Sequence, residues 1–375
     1  MAMTHFSSTG MAGLAGAGGL GMVGNGMGAG GWAQWLPAWT GWSAEAKMSA
    51  VAMPIFLLLI VAELVVSNQN ERPAYHWRDT LANVYLTLLN SLLDAGVRVL
   101  VAGSVMAWLY AERVVTMGPG WGYWAGLFVA VDLMSYWIHR IEHTSRVFWA
   151  VHVTHHSSTL FNFTTGIRSS VLQPLYRFAF FAPLGLLGFA GTDIWLVFAA
   201  SQLYGHLMHT RRTGRVPLWD GIFVTPSHHR VHHASNACYV DKNMGTVLIL
   251  WDRLFGTFVR ERADEPPVFG LVKSADIRGP FKLWLHEWRS LGRDVFRRDP
   301  ALPLAARLGY VFNPPGWRHG EDKADSAGSG VGGGFHGGRR NRRLRRWTQI
   351  FKKEDFHRKG AKGAEEEMRK GFNHG

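Results

Sequence analysis

The sequence predicts an all-α protein, an integral membrane helical bundle with a histidine-rich helical domain on its cytoplasmic side. Three observations carry that expectation. Apolar residues make up 47% of the 375-residue chain, with 17 Trp and 22 Phe, yet the formal net charge is +13. The apolar residues fall in long blocks and the basic ones in others, the separation typical of a membrane protein with charged cytoplasmic parts. Finally, 11 of the 18 histidines lie between His139 and His233. The single cysteine, Cys238, excludes a disulfide framework and a thiolate metal cluster, so any metal must be held by nitrogen and oxygen.

Residues 1–45 are expected as a flexible Gly/Ala-rich N-terminus, because "MAGLAGAGGLGMVGNGMGAGGW" is rich in Gly and lacks the basic n-region of a secretory signal. Residues 46–120 are expected to hold transmembrane helices. "MSAVAMPIFLLLIVAELVVS" (48–67) supplies the roughly 20 apolar residues that a span needs, and 81–110 a second, interrupted by Asn83, Asn90, Asp94 and Arg98. A third span is expected at Trp121–Ile138, and 172–191 with 193–208 as a hairpin dipping into the bilayer. Glu63 and Asp132, inside spans, are expected to face protein or a cavity, since exposing them to lipid is costly.

Arg140, Arg146, Arg168, Arg211, Arg212, Arg215 and the basic tail follow spans three and five, while little positive charge precedes span one. That asymmetry places the histidine-bearing segments and the C-terminus in the cytoplasm, with the loop near Met117 on the other side. Residues 263–318 are expected as a cytoplasmic C-terminal extension and 319–375 as a disordered basic tail. From Arg339 to Gly375 the tail holds 13 Lys and Arg against 5 Asp and Glu. It reads as solvated chain or as a strip for anionic lipid headgroups. Nothing else in the chain points to nucleic acid.

The histidines form groups. "HRIEH" sets His139 and His143 at i, i+4, on one helix face. "HVTHH" supplies His152, His155 and His156, and "HRVHH" repeats that spacing with His229, His232 and His233, while "GHLMHT" adds His206 and His209. So many imidazoles exceed what one tetrahedral zinc can use and suit two metals with about four nitrogens apiece. Such sites select Fe, Cu, Ni or Zn. For two redox metals beside a lipid phase the expectation is iron.

Other readings use fewer of these residues. "HRIEH" also fits the inverted zinc-protease motif, with Glu142 as general base, but leaves both triplets idle. A bis-histidine haem needs two axial ligands and no adjacent doublets. A non-catalytic zinc cluster is the remaining alternative.

The stretches "DLMSYWIHRIEHTSRVFWAVHVTHHSS" and "TPSHHRVHHASNACYVDKNMGTVLILWDRLFGTF" resemble the sterol desaturase / fatty acid hydroxylase superfamily, from about Trp121 to Phe258 with a looser match at "NPPGW" (313–317). The resemblance implies a catalytic region at 121–262 with a cytoplasmic diiron centre. It implies O2 as cosubstrate, electrons from a separate transfer protein, and a fatty acyl, sterol or ether lipid as substrate. The metal ligands it implies are His139, His143, His152, His155, His156, His229, His232 and His233, with His209 a better match than His206 to a further one. "SHHRVHH", "DKN" and "WDRLFGTF" look most like the alkylglycerol monooxygenase branch. Thr144 and Thr159 stand where that branch has Glu, while Asn162 and Arg168 match it and are expected to line or brace the site. The branch favours hydroxylation over desaturation. Asp132, seven residues before His139 on the same helix face, is expected either to orient a ligand or to pair with a neighbouring helix.

Overall fold

The computed structural model describes residues 41–68, 74–214, 217–272, 277, 279–297, 299 and 302–320. The expectations for 1–40 and for the tail beyond 320 lie outside these residues. The chain divides into two units, 1–50 and 51–375, and the second holds all the grouped histidines. Among the described residues regular structure is helical, with only isolated β-bridges besides.

Helix α1 (Ala44–Asn68) is 25 residues long, about 37 Å at 1.5 Å per residue, against a hydrocarbon core of about 30 Å. Leu58, Met53, Ile55 and Val65 are exposed along it. Such a surface is unfavourable in water and costs nothing in lipid. The second membrane-length element runs Trp77–Ala111. It comprises α2 (Trp77–Val97), one π turn at Arg98–Ala102 and α3 (Gly103–Ala111). Among the described residues these two elements are long and apolar enough to cross a bilayer.

The third expected span is not such a helix. Helix α4 (Trp121–Thr144) has the length, but its tryptophans, tyrosines and Asp132 lower its hydropathy, and its second half is largely packed within protein. Asp132 is fully buried and Glu63 nearly so, as expected of acids inside apolar helices.

The expected hairpin is present as α7 (Pro174–Leu186) and α8 (Gly191–Leu207), each shorter than a span. Its tip meets the residues after α3, where Val114 N donates to Leu186 O. Gly188 turns there at φ +95, and a Cβ on it would lie 2.2 Å from Val115 O, so only glycine fits. Met106, Leu127, Val131, Phe181, Ile194 and Phe198 bury the contact among α3, α4, α7 and α8.

Six further helices complete the described residues. They are α5 (Arg146–His156), α6 (Phe163–Gly166), α9 (Pro226–His232), α10 (Leu250–Leu254), α11 (Pro280–Val295) and α12 (Leu304–Phe312). Arg146, counted in the sequence among the charges that set orientation, is 7% exposed. It fastens α5 to α11 through Glu287 at 2.8 Å, Asp294 at 2.7 Å and Ser290 at 3.0 Å.

Glu63 ties α1 to the rest of the unit. Its carboxylate accepts from Tyr75 OH at 2.5 Å, from Phe163 N at 2.9 Å and from Thr210 Oγ1 at 2.5 Å. Each donor left unmet costs about 1–3 kcal/mol. Glu63→Leu is therefore expected to destabilise the detergent-solubilised protein by about 3 kcal/mol or more, and Glu63→Gln by clearly less. An unchanged thermal transition in Glu63→Leu contradicts this role.

Candidate metal centre

Helix α4 ends at Thr144, and extended Ser145 turns the chain back into α5. The reversal faces His152 toward His139, with ring centroids 4.8 Å apart. Helix α9 closes the site from the other side. It begins with Thr225 as cap and Pro226 at its first position, and the His228 ring completes the capping box. The first histidine of "SHHRVHH" is thus structural.

All nine histidines expected as ligands come together, in two groups. His139, His143, His152, His156 and His232 form one, and His155, His209, His229 and His233 the other. Within each group the candidate donor atoms lie within 4.8 Å of one another. The split is five and four rather than four apiece, and His206 joins neither group.

The adjacent doublets explain the repeat. Successive helical residues point about 100° apart, so a doublet serves two centres while i, i+4 serves one. In α5, His152 and His156 enter the five-histidine group and His155 the other. In α9 and its cap the roles invert: His229 and His233 enter the four-histidine group and His232 the five.

Six of the nine rings have an oxygen behind them. Nδ1 of His139 donates to Met244 O at 2.8 Å, and Nδ1 of His232 to Lys242 O at 3.0 Å. His155 uses Arg168 O at 2.9 Å and His209 uses Gly205 O at 2.9 Å. Glu142 Oε2 lies 2.9 Å from His152 Nδ1, and Asp241 Oδ1 lies 3.6 Å from His143 Nδ1. The four carbonyls fix the proton on Nδ1 and leave the Nε2 lone pair facing inward, whereas Nδ1 of His152, although close to Glu142, makes no hydrogen bond.

Those lone pairs converge. Nε2–Nε2 separations are 3.1 Å for His139–His152 and 3.1 Å for His152–His156. In the other group they are 2.9 Å for His209–His229, 3.1 Å for His209–His233 and 3.4 Å for His155–His209. Nε2 of His143 and of His232 is buried without a hydrogen-bond partner. Acceptors packed this closely repel unless a cation lies between them. A metal about 2.0–2.1 Å from each nitrogen separates neighbouring ligands by roughly 2.9–3.4 Å, so the donor set fits metal ions.

Most of the rings are kept neutral. Burial, then neighbouring imidazoles, push His152, His156, His232 and His233 well below the ordinary histidine range. Burial brings His155 down to about 4. Neutral imidazole is the form that binds metal.

The loop "DKNMG" supplies two of the supporting carbonyls. Asp241 and Asn243 adopt φ 57 and 52, which aligns the Lys242 and Met244 carbonyls with His232 and His139. Asp252 holds this loop by accepting from Met244 N and Gly245 N, each at 2.7 Å, and from Thr257 Oγ1 at 2.6 Å. Asn243 spans it to Val259 N and O and to His228 O.

Asp132 orients no histidine. It accepts from Val247 N at 3.0 Å, Leu248 N at 3.1 Å and Trp251 Nε1 at 2.8 Å, and so anchors the next turn of the same segment. Sequence reasoning missed Asp252, the backbone carbonyls and the role of Glu142. The acidic residue of "LWDRLFGTF" was the available signal for the first.

Glu142 is buried and occupied. Besides its contact with His152 it accepts from Gln173 Nε2 at 2.7 Å and Tyr176 OH at 2.5 Å. That leaves it no role as a protease base. Arg168, 2% exposed, braces the site: Nε donates to Thr154 O at 2.8 Å, one terminal nitrogen to Asn83 Oδ1 at 2.7 Å and the other to Ser157 Oγ at 2.7 Å. Asn162 caps α6 through Thr165 N at 3.1 Å. Thr144 bonds back to Arg140 O at 2.8 Å. Thr159 is exposed beside Gly270.

Residues 124–257 match the fatty acid hydroxylase family. The alkylglycerol monooxygenase of Homo sapiens is 33% identical over 278 residues, covering 72% of this chain and 60% of that protein. The ornithine lipid hydroxylase of Rhizobium tropici is 35% identical over 136 residues, 36% of this chain and 40% of its own. The Delta(7)-sterol 5(6)-desaturase of Leptosphaeria maculans is 29% identical over 174 residues, 42% and 44% of the two chains. The chain spans 60% or less of the length of the alkylglycerol monooxygenases it matches. No solved structure matches it. These similarities support the sterol desaturase / fatty acid hydroxylase superfamily, with residues 124–257 carrying the family match.

Proposed function

We propose that this protein is a membrane-bound diiron oxygenase that uses O2 to insert oxygen into a C–H bond of a lipid. The observation that carries the reading is the convergence of nine imidazoles into groups of five and four. An unactivated C–H bond offers no acidic proton and no leaving group, so side-chain acid–base chemistry cannot attack it. Iron bound by these histidines would supply an oxidant that the side chains lack. The metals would be held by His139, His143, His152, His156 and His232 in one site and His155, His209, His229 and His233 in the other.

The chain's own residues orient the ligands and exclude water. The Lys242, Met244, Arg168 and Gly205 carbonyls fix the tautomers, while Glu142 backs His152. Burial keeps most of the rings unprotonated. The active face and C-terminus are assigned to the cytoplasm on the charge asymmetry, and the electrons to a separate transfer protein. The alkylglycerol monooxygenase and ornithine lipid hydroxylase relatives support a lipid substrate and hydroxylation. The sterol desaturase relative supports desaturation as the second reading.

Both reactions begin with hydrogen abstraction and part when the carbon radical either captures oxygen or loses a neighbouring hydrogen. Turnover of an alkylglycerol under 18O2 is expected to give a product with one labelled atom. An olefin without label would make the protein a desaturase. His152→Ala or His232→Ala is expected to abolish turnover and His206→Ala to be milder than His209→Ala; full activity in both of the first two variants removes the shared-site reading.

The supporting shell makes its own prediction. Asp252→Ala frees the loop that carries the Met244 carbonyl, so metal affinity should fall by roughly 10–100-fold in competition with a chelator. Thr159→Ala, at an exposed position, should leave it unchanged. Equal affinity in Asp252→Ala and the parent chain would show that the loop does not hold the ligands.

A further inference from the structure

Beyond α8 the chain from Arg211 to Gly214 forms one wall of an open cleft of about 360 Å³, completed by Arg230, Glu261, Pro267 and Phe269. Three guanidinium groups therefore line a cleft that holds one carboxylate. Arg211 and Arg212 are exposed, whereas Arg230 is buried. Arg230 gives the wall its shape: it donates to Thr210 O at 3.1 Å and Thr213 O at 2.9 Å while its other nitrogens engage Glu261.

Two further observations fix where this cleft lies. First, Thr210 is bonded to Glu63, four residues before Ser67, where the apolar span of α1 ends. At 1.5 Å per residue that is about 6 Å from the end of the span, which puts Arg211 and Arg212 at the level of lipid headgroups. Second, the cleft adjoins the four-histidine group. Arg211 lies over the Phe269 ring at 4.6 Å, and Phe269 stacks on Phe161 at 4.7 Å and 9°. Phe161 in turn contacts the rings of His209 at 5.4 Å and His233 at 5.3 Å. One aromatic ring separates the basic cleft from the candidate metal ligands.

We propose that this cleft receives the negatively charged, phosphate-type headgroup of the membrane lipid on which the enzyme acts, an inference that rests on the lipid-oxygenase reading above. Guanidinium groups pair with phosphate oxygens in bidentate fashion and are favoured where a planar fork meets a tetrahedral anion. A headgroup held by Arg211 and Arg212 is anchored at the bilayer surface, and the carbons it brings toward the four-histidine group are those nearest the headgroup. The cleft thus selects an anionic lipid and a headgroup-proximal position of attack.

The test uses the purified full chain in neutral detergent and two probes with one alkyl tail, an alkylglycerol phosphate and the uncharged alkylglycerol. The phosphate probe is expected to bind roughly tenfold more tightly, an advantage that shrinks as salt is raised. Arg211→Gln with Arg212→Gln should abolish the advantage, and Arg211→Lys with Arg212→Lys should restore part of it. Equal binding of the two probes by the parent chain, or an advantage that survives the glutamine pair, overturns the proposal. Millimolar inorganic phosphate should leave the tailed probe bound; displacement would identify a free-phosphate site and overturn the lipid assignment. Iron content is read on the same samples. A phosphate preference without iron would sink the oxygenase reading and leave the cleft standing, while iron without the preference would do the reverse.

Discussion

The structure depends on one electrostatic constraint: nitrogen lone pairs that face one another at about 3 Å. His139 and His152 meet at 3.1 Å, and His209 meets His229 at 2.9 Å. Protons would relieve that repulsion, but burial holds most of these imidazoles unprotonated. A cation at the meeting point relieves it instead. The surrounding fold, from the reversal at Ser145 to the capping box of α9, keeps the rings in this arrangement.

Holding acceptors together requires anchoring the rings from the back, and three of the four carbonyl anchors, those of Arg168, Lys242 and Met244, come from irregular chain, while the fourth, Gly205 O, comes from α8. The left-handed residues Asp241 and Asn243 turn two carbonyls onto two rings. Asp132 and Asp252, both fully buried, secure the segment from Met244 to Trp251 through four backbone amides and the Trp251 indole. A buried carboxylate is costly unless its lone pairs find donors, and here most of the donors are amides of the loop that must be held. Glu63 applies the same principle between α1 and Thr210, and so links the membrane span to the residue after His209.

Much of this was legible in the sequence. The repeated HxxHH spacing pointed to a shared centre because adjacent helical side chains diverge while i and i+4 align. The apolar run at 48–67 is a helix of membrane length. What the sequence did not disclose was long-range. Asp132 sits at helical register with His139, yet its partners are 115 to 119 residues away. Glu142 reads as a protease base within "HRIEH", but Gln173, just before α7, and Tyr176 within it occupy it. Backbone carbonyls leave no mark in side-chain patterns at all, and the five-to-four division required knowing that His209 joins the second group.

The central claim is that the two histidine groups are two separate metal sites. It is tested most directly by the iron content per chain of the purified parent protein, of His156→Ala from the five-histidine group and of His229→Ala from the four-histidine group. Two irons in the parent, with a reduced content in each variant, is the result this account predicts. A single zinc per chain, or an iron content unaffected by either substitution, would contradict it.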